Sequence, residues 1–82
     1  MYMKVMSKKT KLSSEKIIQK AKDYFKGNLG LQLTTETPAC CVEFESNLGF
    51  VIVQVTGENQ EKEVKVTTRE FEYLIQEFLS EI

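Results

Sequence analysis

The sequence predicts a small α+β domain: an antiparallel β-meander of three or four strands, with an N-terminal and a C-terminal helix packed on one face, in the order α-β-β-β-α. Three observations carry that prediction. Apolar residues recur at helical spacing near both ends of the chain, and they alternate at period two between those ends. The alternating segments are separated by short turn-forming stretches, which connect antiparallel neighbours.

The 82 residues fit one domain, since a chain this short cannot bury enough surface for two separate cores. A hydrophobic fraction of 41%, a charged fraction of 28% and a formal charge of -1 belong to an ordinary soluble globular protein. No apolar run approaches the roughly 20 residues of a transmembrane helix, and Met1 to Leu12 lacks the features of a secretory signal, so a cytoplasmic location is the expectation. Residues 1–12 read as a basic leader that need not be ordered, and residues 13–82 as the folded domain.

Ser13-Ser14-Glu15 marks a helix start: a hydroxyl can cap orphan amide donors, and Glu15 sets negative charge against the positive dipole end. Ile17, Ile18, Ala21, Tyr24 and Phe25 then recur at three and four residues, with lysines on the opposite arc as far as Lys26. Gly27-Asn28 is the expected stop, because both tolerate the left-handed conformation. Leu29, Leu31 and Leu33 alternate with Gly30, Gln32 and Thr34, which suggests an extra short strand at 29–35.

Cys40, Val42 and Phe44 alternate with Cys41, Glu43 and Glu45, the pattern of a half-buried strand. Ser46-Asn47-Leu48-Gly49 turns the chain into Phe50 to Thr56, the most β-prone run and the expected central strand. Gly57-Glu58-Asn59-Gln60 turns it again. Glu61 to Val66 has charged residues on one side of Val64 and Val66, so it reads as a strand nearer an edge. Thr67-Thr68-Arg69-Glu70 fits a capping box for the last helix, in which Phe71, Leu74, Ile75, Phe78, Leu79 and Ile82 form the apolar stripe.

The parity of the central strand points to a contact surface. If Val51, Val53 and Val55 face the helices, Phe50 and Ile52 face away beside Gln54, on a side that a singly covered sheet leaves open. Cys41 and Glu43 from one neighbour and Lys65 from the other join them, and Tyr73, on the polar side of the last helix one turn after Arg69, is a further exposed aromatic. These seven residues form the candidate interface for a protein partner or a second copy.

A second candidate comes from charge. Met1 to Lys26 holds eight lysines against two acids, whereas the remainder holds ten glutamates against three basic residues. Lys8, Lys9, Lys11, Lys16, Lys20, Lys22 and Lys26 could bind a polyanion such as nucleic acid, although the acidic balance elsewhere repels phosphate.

The chain contains no histidine, which removes Ser-His and Cys-His nucleophile pairs and histidine metal ligation. No glycine pattern matches a phosphate-cradling loop, and one adjacent cysteine pair does not make a zinc site. No catalytic residue, metal or cofactor is expected. Cys40-Cys41 reads as two reduced thiols: neighbours in a strand point to opposite faces, which gives one buried and one accessible sulfur.

Helix, β-meander, helix is an order that resembles the double-stranded-RNA-binding domain. That family carries a lysine cluster at the start of its second helix, where this chain has Thr67, Thr68, Arg69, Glu70, Phe71 and Glu72, so the resemblance implies the fold without the RNA contacts. Gly30-Leu31, Pro38, Val42-Glu43-Phe44-Glu45, Gly49-Phe50-Val51, Thr68-Arg69-Glu70-Phe71-Glu72-Tyr73 and Glu77-Phe78-Leu79 resemble stretches of a group of short, uncharacterised bacterial and archaeal proteins. That likeness implies a single small α+β domain and brings no activity with it.

Overall fold

A computed structural model describes residues 3–38, 40–57 and 61–82. Five strands form one antiparallel sheet in the spatial order β1-β5-β4-β3-β2: β1 is Lys4–Thr10, β2 Gln32–Thr37, β3 Cys41–Glu45, β4 Phe50–Thr56 and β5 Lys62–Arg69. Helix α1 (Ser14–Ala21) runs on into a π-helical segment, Lys22–Asn28, and α2 is Glu72–Ser80. The chain is thus α+β, with the element order β-α-β-β-β-β-α in place of the expected α-β-β-β-α.

The first correction is β1. Its Val5, Ser7 and Lys9 lie on one face and Lys4, Met6 and Lys8 on the other, so neither face shows an apolar alternation. Pairing with β5 along the whole of β1, from Lys4 opposite Thr68 to Thr10 opposite Lys62, is what makes it a strand. It follows that β5 is an interior strand, and its Val64, Val66 and Thr68 are fully buried. The extra strand read at 29–35 is present as β2, from Gln32 to Thr37, with a register shift between Leu33 and Thr35 that bends this edge.

Both helices pack on one face of the sheet, α1 against β3 and β4, and α2 against β1 and β5. The face they cover is the one expected: Val42, Phe44, Val51, Val53, Val55, Val64 and Val66 are buried under Ile17, Ile18, Phe25, Ile75 and Phe78. Phe25 is the hub, its ring 5.4 Å from that of Phe44 on the sheet and 5.2 Å from that of Phe78 on α2. One side chain therefore ties both helices to the same sheet face. At the start of α1 the Ser13 hydroxyl accepts from the Lys16 amide at 3.2 Å, the cap the sequence predicted.

The end of that helical stretch differs from expectation. The π-helical turns carry it past Lys26 to Asn28, where the Leu29 amide donates to the Tyr24 carbonyl five residues back. The residue in the left-handed region is Gly30, φ 73°, not Gly27 or Asn28. Salt-bridged Lys22 and Glu36, 3.2 Å apart, attach the segment to β2.

The capping box is a second correction. Thr67 and Thr68 belong to β5, and the buried Thr68 hydroxyl donates to the Phe50 carbonyl at 2.8 Å. Glu70, at φ 82°, turns the chain out of the strand, and α2 then starts behind Phe71 with no side-chain cap. At its other end α2 has no basic residue in its last turn, and Lys8 of β1 takes that role by donating its ammonium to the Leu79 carbonyl at 2.7 Å. Of the turn read at 57–60, Glu58, Asn59 and Gln60 lie outside the described residues.

Candidate functional site

The second face of the sheet is built from the alternate residues of the same strands. Residues directly opposite on antiparallel neighbours share a face, so the pairing registers define cross-strand rows. One row runs Gln32, Glu45, Phe50, Arg69; the next Thr35, Glu43, Ile52, Thr67, Val5; the third Thr37, Cys41, Gln54, Lys65, Ser7. No described helix packs on these rows, because α1 and α2 both lie on the other side.

Six of the seven candidate interface residues meet here. Phe50, Ile52 and Gln54 form the central column on β4, Cys41 and Glu43 stand on β3, and Lys65 stands on β5. Phe50 and Ile52 are only partly covered by their neighbours, and Val5, two strands from Ile52 in the same row, is 55% exposed. The column thus continues into an apolar patch that the sequence did not reveal, since Val5 was read as part of a leader. Its signal is the β1–β5 pairing, which only the fold supplies.

Tyr73 does not belong to this face. It projects from α2, 69% exposed, on the helical side of the molecule. Arg69, expected one helical turn before it, is instead the last residue of β5, with its guanidinium carbon 5.9 Å from the centre of the Phe50 ring. Arg69 thus makes a cation–π contact with Phe50 across neighbouring strands. Glu70, with its left-handed backbone, separates Arg69 from the helix.

Charge on the open face is divided by β4. Glu43 and Glu45 lie on its β3 side, and Lys65 and Arg69 on its β5 side, with Glu63 and Lys9 paired beyond them. The lone ion pair among the described residues, Lys22 with Glu36, involves none of these groups.

Cys40 and Cys41 correct another expectation: they are joined to each other by a disulfide, and both are half-buried. Neighbouring residues face apart only where both sit in the strand. Cys40 instead lies in the preceding turn, its amide bonded to the Thr37 carbonyl, and β3 begins at Cys41. The open face therefore presents a disulfide sulfur at Cys41 and not a thiol.

The seven lysines of the charge-based candidate set are dispersed. Lys8 points to the helical side and is engaged at the end of α2, Lys22 is paired with Glu36, and Lys9 stands opposite Glu63 on the open face. Lys16 and Lys20 project into solvent from α1, Lys26 from the π-helical segment, and Lys11 from the connection between β1 and α1. They do not form one surface.

Among the described residues, no three cysteine, aspartate or glutamate side chains come together as metal ligands, and no helix is long and apolar enough to cross a membrane. Comparisons with protein-family models, curated proteins and solved structures find no match to this chain.

Proposed function

We propose that this chain is a non-catalytic interaction domain that self-associates through the open face of its sheet. The observation that supports this reading is the placement of Phe50 and Ile52 at the centre of a face that no described element covers. Phe50 and Ile52 stand next to each other on that face, with Val5 in the Ile52 row, and a contiguous apolar patch is the kind of surface that marks a contact site.

Five strands spaced about 4.8 Å apart and outer residues spread over about 20 Å give a face near 500 Å² per protomer. A face-to-face dimer would then bury about 1,000 Å² in total, at the low end of specific interfaces, so the association is expected to be weak, in the range of tens of micromolar. The test is sedimentation equilibrium of the wild-type chain and of Phe50→Glu, whose side chain leaves the core untouched. Dimerisation by the first and not by the second supports the reading; monomers in both cases at about 100 μM overturn it.

A further inference from the structure

The geometry points to one arrangement for the partner: a second copy stacked face to face, related by a two-fold axis that runs along β4 between the two sheets. This inference rests on the self-association proposed above and adds its orientation.

In the rows of Phe50, Ile52 and Gln54, β4 stands in the middle, with Glu45, Glu43 or Cys41 on the β3 side and Arg69, Thr67 or Lys65 on the β5 side; the Thr56 row has no β3 member and carries Glu63 on β5. A two-fold axis along β4 keeps each row at its own height and exchanges left for right. Phe50 then meets Phe50 of the second copy, and Ile52 meets Ile52. Glu45 faces Arg69 of the second copy, and the same pair recurs on the other side of the axis. Both groups are free to do so, since neither takes part in an ion pair among the described residues. The contact between Arg69 and the Phe50 ring already holds the guanidinium over this face.

The other face-to-face arrangement, with the axis across the strands, reverses the rows. Level with Val53, that axis sets Phe50 over Thr56 and Ile52 over Gln54, burying apolar side chains against polar ones; level with Val51, it sets Phe50 over Ile52 but Glu45 over Glu43, like charge against like. Packed sheets cross at about 30°, which displaces groups one strand, about 5 Å, from the axis by only about 2–3 Å. Glutamate and arginine side chains span that displacement, so the Glu45–Arg69 pairing survives the twist.

The experiment exchanges the charges. Glu45→Arg makes each homodimer oppose two arginines at both pairing sites, and Arg69→Glu makes it oppose two glutamates. Each variant alone is expected to dimerise about tenfold more weakly than wild type. An equimolar mixture is expected to recover association to within about threefold of wild type, because a heterodimer of the two variants restores opposite charges at both sites. Analytical ultracentrifugation with one variant fluorescently labelled reads this directly, and thermal melts of each variant confirm that the fold is kept. Wild-type dimerisation without recovery in the mixture overturns the orientation and leaves self-association standing. A monomeric wild-type chain overturns both.

Discussion

Gly49→Ala is the substitution whose cost follows most directly from the geometry. Gly49 is buried where the β3–β4 turn enters β4, and a Cβ added there would fall well inside van der Waals contact with the Arg69 carbonyl oxygen and 2.9 Å from its carbonyl carbon. Those atoms are backbone, held by the Phe50–Arg69 pairing on one side and by left-handed Glu70 on the other. Gly49 is itself held by the bond from the Ser46 amide to its carbonyl at 2.9 Å. The third near atom, the Glu70 Cβ at 3.1 Å, is fixed to that same backbone and cannot swing away, so the strands must part by the better part of an ångström.

Overpacking by one methyl costs about 1–3 kcal/mol, and an obstruction made of backbone places this site at the top of that range, about 3 kcal/mol. In a domain of this size that lowers the melting temperature by roughly 12–24 °C. Gly27→Ala is the matched control: its added methyl meets no atom within 4 Å, and the residue is helical. It should stabilise by about 0.5–1 kcal/mol. Far-ultraviolet circular dichroism melts of the two variants against wild type decide the matter. If Gly49→Ala melts within a few degrees of wild type, the close approach of β4 to the end of β5 is wrong.

Two further predictions concern the ends of α2 and its contact with the π-helical segment. Lys8→Met keeps the aliphatic stem but removes the ammonium that bonds the Leu79 carbonyl, and should lower stability by about 1 kcal/mol in urea denaturation, with faster amide exchange in the last turn of α2; an unchanged midpoint would contradict that capping role. Partial burial, then the charge of Glu77 and the hydrogen bond from the Tyr24 hydroxyl to Glu77 (3.4 Å), raise the Tyr24 phenol above its ordinary value in the folded state. The neutral form is the one the fold favours, so this contribution is intact below about pH 10 and is lost as pH rises through the folded value. Tyr24→Phe should therefore lose less stability than wild type above about pH 10, and superimposable alkaline profiles would count against the contact.

The sequence was most legible where one residue pattern had one structural meaning. Phe50 to Thr56 became β4 with those bounds, and the stripes Ile17-Ile18-Ala21-Phe25 and Phe71-Ile75-Phe78-Leu79 became the core faces of the helices. The open face was legible for the same reason, since period two fixes which residues accompany Phe50 once Val51 is placed inside.

Legibility failed where tertiary pairing decided. Met6 and Val5 give β1 one apolar residue on each side, too little for a pattern, and β5 supplies the rest of the reason for the strand. Thr67 to Glu70 has the residues of a capping box, but Thr68 is claimed by the core and by the Phe50 carbonyl, and that tertiary demand outweighs a local cap. The disulfide was missed because the start of β3 was placed one residue early, and one residue decides whether neighbouring cysteines must face apart.

The central claim is that the open face, with Phe50 and Ile52 at its centre, is where a second copy binds. Sedimentation equilibrium over about 1–200 μM tests it most directly. The wild-type chain should rise in mass from monomer toward dimer with concentration, and Phe50→Glu, melting at the wild-type temperature, should remain a monomer throughout. A wild-type chain that stays monomeric across that range, or a Phe50→Glu variant that dimerises as wild type does, would contradict the claim.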